Sequence, residues 1–469
     1  MKTATNRVKL ALSPLALALL LSGCMSLAPK YERPAAPVAA SFPELAPGPT
    51  GEAAAQIEWQ RFFPDERLKG LIGQALTNNR DLRIAIANIE QARAQYRVRR
   101  ADQLPSVGVG VSGSRVTTGD DDDSVRSTYQ AGLAISTFEL DLFGRVRNLS
   151  EAALAQFLAT EEARRTTQIS LISSVANTYL ALLADEELLD LTQKTLAARE
   201  ESEKLVRLRF ENGVVSKLDL QQAVSLVDQA RVTLAQQQRQ RAQDMNLLTL
   251  LVGAPLATNP ASGATLATTS VPDLPAGLPS DLLTVRPDIR ASEQGLIGAN
   301  ANIGAARANF FPRITLTGTA GSASSELSGL FKSGSFGWSF APQLILPIFD
   351  AGRNTATLAA ARAARDAQVA DYERTIQTAF REVADALAGQ ATYTDQLRAQ
   401  RAVAEAEAER FNLSDLRYRA GTSSYLDLLD AQRSLFLAQQ AAVQANLQRL
   451  QNQVTLYRVL GGGWTEPRG

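Results

Sequence analysis

Apolar positions along this chain change their spacing several times. From Trp59 onward, Phe62, Phe63, Leu68, Leu71, Ile72, Ala75 and Leu76 recur at helical spacing, and a first helix is expected to run on past Asn78-Asn79 to Arg100. The period then drops to two. Val107, Val109 and Val111 alternate with Gly108, Gly110 and Ser112, while Tyr129, Ala131, Leu133 and Ile135 alternate with Gln130, Gly132, Ala134 and Ser136, which predicts two strands. From Arg145 to Asn212 there is neither proline nor glycine, so one very long helix is expected, roughly 100 Å at about 1.5 Å per residue. The same order returns later. Ile314, Leu316 and Gly318 alternate with threonines, Phe336, Trp338 and Phe340 alternate with Gly337 and Ser339, and Arg353 to Ala420 is a second long helical stretch. There Val369, Tyr372, Ile376, Phe380, Val383 and Leu387 follow the three-and-four spacing of a coiled-coil seam. Leu218, Leu220, Val224, Val227 and Leu234, and Leu426, Leu429, Leu435 and Leu437, supply the expected partner stripes.

The recurrence is a duplication. Arg209-Phe210-Glu211-Asn212-Gly213 matches Arg417-Tyr418-Arg419-Ala420-Gly421, Leu218-Asp219 matches Leu426-Asp427, and Val252-Gly253 matches Leu460-Gly461, all in one register. Upstream, Asp81-Leu82-Arg83 answers Asp288-Ile289-Arg290, and Gly144-Arg145 answers Gly352-Arg353. The body therefore reads as two copies of one unit, 59–253 and 280–463, joined by a Pro/Ala/Thr/Gly-rich linker at 254–279 and ending in a tail at 464–469. The run Asp120-Asp121-Asp122-Asp123 between the first two strands is too charged for burial. Four strands cannot close a membrane barrel, which needs about eight, and lipid does not tolerate open edges. An oligomer is required; two copies give eight strands, three give twelve, and spacing alone does not choose.

The N-terminus sets the solvent. Lys2, Arg7 and Lys9 precede an apolar run from Leu10 to Leu21, too short for the ~20 residues of a membrane-spanning helix, so 1–23 reads as a secretory signal peptide. It ends in Leu21-Ser22-Gly23-Cys24, which resembles the lipobox of bacterial lipoproteins and implies an acylated Cys24; Met25 in place of aspartate favours outer-membrane sorting. Residues 24–58, rich in proline and alanine, read as an extended tether. The chain has 48 basic and 48 acidic residues; removing Lys2, Arg7 and Lys9 leaves 45 against 48, a balance of −3, with nothing to attract nucleic acid. There is no histidine, and acylation of the single cysteine leaves no thiolate, which excludes zinc sites and histidine-based catalysis. Neither a Gly-x-Ser-x-Gly turn nor a phosphate-cradling glycine loop is present. No enzyme activity, and no cofactor beyond the lipid on Cys24, is expected.

The lipobox, the duplicated order of helix, two strands, long helix and helix, and the two turn motifs together resemble the TolC-like outer-membrane efflux-protein family, in its lipid-anchored drug-efflux branch, from Cys24 to Gly461. The resemblance implies a mainly α fold with a membrane β-barrel: a homotrimer whose twelve outer-membrane strands continue as a long periplasmic helical barrel. It implies a tip engaged by a periplasmic adaptor (membrane fusion) protein and an inner-membrane pump, proton-driven and of the resistance-nodulation-division type, with drugs or other small molecules conducted passively. By themselves, Arg209-Phe210-x-x-Gly213 with Ser216-x-Leu218-Asp219, and Arg417-Tyr418-x-x-Gly421 with Ser424-Tyr425-Leu426-Asp427, read as hairpin turns, glycine accepting positive φ and serine capping the next helix. The resemblance adds that Arg209, Gly213, Ser216, Arg417, Tyr418, Gly421 and Ser424 dock on the adaptor. It further implies a periplasmic gate of Leu426, Asp427, Asp430 and Arg433, with Asp219 as the first-unit equivalent; the spacing places Leu426, Asp430 and Arg433 on one helical face. Ser423 stands where the best-known member has an arginine, so closure is expected to depend on Leu426 and on an Asp430–Arg433 pairing. Two alternatives stay open: the same duct serving type I protein secretion, and a non-conducting periplasmic coiled-coil lipoprotein, which leaves the strands unexplained.

Overall fold

The computed structural model of the chain describes residues 26–42, 53–117, 125–256, 259–261, 263–275 and 279–464; Cys24, the signal peptide and the acidic run at 120–123 lie outside them. Helices α1 (Trp59–Phe62), α2 (Glu66–Asn78) and α3 (Arg80–Ala101) lead into strands β1 (Val107–Thr117) and β2 (Val125–Leu140), then into α4 (Arg145–Glu211) and α5 (Lys217–Val252). The order repeats as α6 (Pro279–Val285), α7 (Pro287–Ala308), β3 (Arg313–Ser324), β4 (Phe336–Ile345), α8 (Arg353–Arg419) and α9 (Tyr425–Val459). Helices α4 and α8 have 67 residues each. The helix expected to run through Asn78-Asn79 is broken there. Asn79 turns to extended backbone (ψ 135°), accepts from the Leu82 amide at 3.0 Å as the cap of α3, and donates to Leu251 O at 2.9 Å. An asparagine that satisfies free helix-end amides outweighs an unbroken apolar period.

The described residues gather into two compact units, one from residues up to 36, 87–161 and 291–374, the other from 37–86, 162–290 and 375 onward. The first holds a four-stranded antiparallel sheet in the order β1, β2, β3, β4. Its register puts Val109, Leu133, Ala320 and Trp338 in one row and Val111, Ala131, Ser322 and Phe336 in the next, so one face carries the β1 valines and the β4 aromatics. Val109 and Trp338 are 80% and 75% exposed. On the opposite face a row of glycines, Gly110, Gly132, Gly321 and Gly337, crosses all four strands. The middle of that row has no room for a side chain: a Cβ on Gly132 would lie 2.4 Å from Ala320 O and 2.5 Å from Gly321 Cα.

A bulge in β2 keeps the two faces distinct. Between Ile135 and Phe138 one residue is inserted, with Thr137 at φ +54°, and the parity of the strand changes. Phe138 and Leu140 thereby stay on the apolar face opposite Leu316 and Ile314, while Glu139 turns to the other side. There Arg145 holds its carboxylate with two bonds (2.7 and 2.6 Å) and Arg313 with a third (2.6 Å). The tether expected from composition is extended but not free: residues 26–33 pack on α7 and α4 through side-chain hydrogen bonds that composition does not register.

The second unit is helical. Val175, Ala176, Tyr179, Leu180, Leu182 and Leu183 of α4 are buried, Phe62 stacks on Tyr457 at 3.9 Å, and Tyr179 donates to Asp65, the cap of α2, at 2.8 Å. Helix α4 is long and apolar enough over one 18-residue window to cross a membrane, yet 67% of that window is buried inside the protein, so it is core. Buried Arg286 is satisfied by Asp288 (2.5 Å), Glu382 (2.9 Å) and Val459 O (3.0 Å). Asp185 is less well served. Burial, then a hydrogen bond to Asp244 and the charges of Asp244 and Glu186, push its carboxyl up to about 7 against the pull of Arg241.

Two expectations follow. Gly132→Ala lowers the stability of the purified protein by about 3 kcal/mol through overpacking, read as a fall in unfolding midpoint, whereas Gly108→Ala, with open space at its Cβ, leaves it unchanged. Asp185 retains in the folded state a proton that the unfolded chain releases near pH 4, so its contribution to stability is lost as pH rises from about 4 to about 7. Asp185→Asn removes that part of the slope; parallel wild-type and variant melting curves across the window would contradict the assignment.

Candidate functional site

The two hairpin turns of the second unit are built alike. Helix α4 ends in Gly213 at φ +71°, with Val214 N donating to Arg209 O and Gly213 N to Phe210 O, both at 2.9 Å. Helix α8 ends in Gly421 at φ +75°, with Thr422 N donating to Arg417 O and Gly421 N to Tyr418 O, both at 3.0 Å. This double bond onto the last carbonyls is the helix stop that a left-handed glycine allows. The next helix then starts on a capping box in each case. The Asp219 amide donates to Ser216 Oγ (3.1 Å) and the Ser216 amide to Asp219 Oδ2 (3.0 Å); Asp427 and Ser424 do the same at 3.3 and 3.2 Å. Asp219 and Asp427 are thus partners in the capping boxes, Asp427 exposed and Asp219 half-buried.

The hairpins are held to each other by one face of α4. Arg199, Ser202, Val206 and Arg209, three or four residues apart, point the same way. Val206 joins Leu220, Ala223 and Leu226 of α5, Tyr418 of α8 and Tyr425, Leu428 and Leu429 of α9 in a buried cluster. Above and below it, guanidinium groups lie over rings: Arg209 is 5.0 Å from the Tyr418 centroid and Arg199 5.2 Å from that of Phe436. Arg199 is 5% exposed, donates to Leu226 O at 3.0 Å, has no partner at Nε and no carboxylate among the described residues. Burial and then the nearby charge of Arg433 lower its pKa. The expected seam is corrected accordingly. Leu218, Leu426 and Leu437 are exposed, and the packed positions are Leu220, Ala223 and Leu226 with Tyr425, Leu428 and Leu429. Tyr418, expected at a docking tip, is buried between the hairpins, because its ring is the larger apolar surface available to the cluster; its neighbour Arg417 is exposed.

The remaining predicted residues lie on the outer side of α9. Leu426, Asp427, Asp430 and Arg433 border or follow an open groove of about 800 Å³ whose other wall is Glu409, Arg410, Leu413 and Arg417 of α8. The Asp430–Arg433 pairing exists but is loose, at 3.9 Å. The tight partner of Asp430 is Arg410, which also reaches Glu407 at 3.1 Å and Ser434 Oγ at 3.4 Å. Arg410 was missed because it sits on the other helix; a mirror count about Gly421, eleven residues back against nine forward, is the signal that finds it.

The family model for outer membrane efflux proteins matches residues 71–254 and again 278–462. The toluene efflux pump outer membrane protein TtgC of Pseudomonas putida is 48% identical over 463 residues, covering 96% of this chain and 95% of its own. Outer membrane protein OprJ of Pseudomonas aeruginosa is 46% identical over 467 residues, 97% of this chain and 96% of its own. Among solved structures, the open state of the Neisseria gonorrhoeae MtrE outer membrane channel has TM-score 0.86 at 40% identity, covering 94% of this chain and 99% of that one.

Burial separates the two arginines in their expected effects. Arg410→Ala, at an exposed pair, leaves the unfolding midpoint within error. Arg199→Met, which keeps the bulk over Phe436 and removes an uncompensated buried charge, raises stability by ~1 kcal/mol. A lower midpoint for the methionine variant would mean that the bond to Leu226 O outweighs desolvation.

Proposed function

The chain belongs to the outer membrane efflux protein family, and from that premise we propose that it acts as a lipid-anchored homotrimer forming the exit duct of a tripartite efflux system. It is an outer-membrane efflux channel reaching into the periplasm, and it works with a periplasmic adaptor and an inner-membrane pump. The observation that carries the trimer is the four-stranded sheet, apolar on one face, small and polar on the other, and open at both edges. Such a sheet enters lipid only when copies close it. Two copies make eight strands, a barrel whose interior is just wide enough for its own side chains; three make twelve and leave a passage.

The acyl group is assigned to Cys24 after removal of 1–23. The pump is proposed to be proton-driven and of the resistance-nodulation-division type, as the resemblance to the drug-efflux branch implies. Cargo is proposed to be small and apolar or amphipathic, in keeping with a relative named for toluene efflux. The relatives' names also favour efflux over protein secretion, and a family of channels over a non-conducting spacer.

Docking on the adaptor is assigned to the exposed tip positions Gly213, Ser216, Arg417, Gly421 and Ser424 and to the half-buried Arg209. The gate is assigned to Leu426, Asp427, Asp430 and Arg433, with Asp219 at the first tip, and Arg410 joins it as the counter-ion of Asp430. In a threefold duct each becomes a ring, and carboxylates in a narrow passage favour cations. The duct opens when a partner binds the open form more tightly than the closed one.

Conductance in planar bilayers tests this reading. The wild type is expected to give a small cation-selective conductance, and Asp427→Ala/Asp430→Ala one that is several-fold larger and less selective, roughly as loss of a charged ring predicts. No conductance from a folded, lipid-anchored oligomer would sink the duct; unchanged selectivity in the variant would sink the gate.

A further inference from the structure

Arg199 of α4 is 5% exposed, and a guanidinium does not shed its proton at neutral pH, so a full positive charge is held in the contact between the two hairpins. What surrounds it offers only partial negative charge. Nη1 donates to Leu226 O at 3.0 Å, Cζ lies 5.2 Å from the centroid of the Phe436 ring, and the buried Nε has no partner among the described residues. The neighbouring acids of α4 are engaged elsewhere: Glu203, one turn on, holds Arg207, and Glu200 holds Arg231 at 2.9 Å.

A second cation stands close by. Arg433 precedes Phe436 by three residues on α9, so the two are neighbours on the helix surface, and its charge acts on Arg199. Arg433 is exposed, and its contact with Asp430 is loose at 3.9 Å because Asp430 is held by Arg410, which also takes Glu407 at 3.1 Å. Three guanidiniums, Arg199, Arg410 and Arg433, thus share two carboxylates, Asp430 and Glu407. One positive charge is left over, and the buried group has no carboxylate of its own. Like charges at such a place cost stability unless a counter-ion joins them.

We propose that Arg199 and Arg433 form a binding site for a small monovalent anion such as chloride, which accepts from Arg199 Nε and lies beside the Arg433 guanidinium. The surroundings select the ligand. The excess is one charge, which a monovalent anion neutralises and a dianion overshoots, and the burial of Nε favours a small ion. Seated between α4 and α9, the ion ties the first hairpin to the second, so the strength of their contact follows the anion content of the medium. The ion site stands whether or not the chain conducts or carries a lipid.

The test is thermal unfolding of the purified protein while chloride replaces gluconate at constant ionic strength, so that general screening stays fixed. The wild-type midpoint is expected to rise by roughly 1–3 °C, as binding to the folded state alone requires. Arg199→Met removes the buried charge and is expected to be flat across the series, so its advantage over the wild type is largest without chloride and narrows as chloride is added. Arg433→Gln, at an exposed position where folding is not at stake, is expected to keep only part of the response. Crystals grown in bromide are expected to show an anomalous peak beside Arg199 Nε in the wild type and none there in Arg199→Met. A wild-type midpoint indifferent to chloride, or a rise of equal size in Arg199→Met, would overturn the site. So would the absence of the peak, or a peak without any chloride dependence, which marks an adventitious ion only.

Discussion

In hydrocarbon a backbone N–H or C=O without a partner costs several kcal/mol, and one sheet edge presents a whole strand of them. Strands β1 and β4 are both edges. That one constraint commits the protomer to copies of itself, and copies closed around an axis commit every attached element to rotational symmetry. The glycine row of Gly110, Gly132, Gly321 and Gly337 fits the same demand, since a sheet curling into a barrel crowds its concave face, and side chains are absent where that crowding is greatest. The bulge at Thr137 belongs to it as well. Without the inserted residue, Glu139 would stand on the apolar face and lose Arg145 and Arg313.

Duplication supplies two hairpins per chain with the same glycine stop and the same serine-aspartate cap, yet the two are not used alike. The first contributes aliphatic residues to the shared cluster and two arginines beside it; the second contributes Tyr418 and Tyr425 to the cluster, and the arginines lie over Tyr418 and Phe436. The contact is adhesive without being a deep core, and Arg199 adds to it a charge held away from water with one carbonyl as its partner. An interface with a built-in cost of that kind separates more readily than an apolar one of equal area.

Much of this was legible in the sequence because it is periodic or local. Strand alternation at Val107–Val111 and Ile314–Gly318, the proline-free spans of α4 and α8, and the Gly213 and Gly421 turns with their caps depend on neighbours within five residues. What escaped depends on partners far away in sequence. Asn79 breaks a helix because of Leu251, Tyr418 is buried because of Tyr425 and Val206, and the tether is docked because Glu293 lies 260 residues beyond Arg33. Apolar stripes were overread for a related reason. Leu218, Leu426 and Leu437 fit a helical period as well as Leu220 and Leu429 do, and only the position of the facing hairpin decides which of them is covered.

The charges on α9 show how symmetry changes the meaning of a surface residue. In a monomer, Asp430 with Arg410 at one side and Arg433 at 3.9 Å on the other is an ordinary exposed pair of little energetic consequence. In the proposed trimer the same groups recur three times around a narrow passage, where bare carboxylates would repel one another as the passage closes. Because Asp430 carries its counter-ion within its own chain, closure brings together groups already neutralised, and the repulsion is largely cancelled before the copies meet. Asp427 has no such cation among the described residues; its carboxylate is engaged by the serine cap. In the proposed gate the two acids would then divide the work of the constriction, Asp430 permitting closure and Asp427 supplying the field that favours cations.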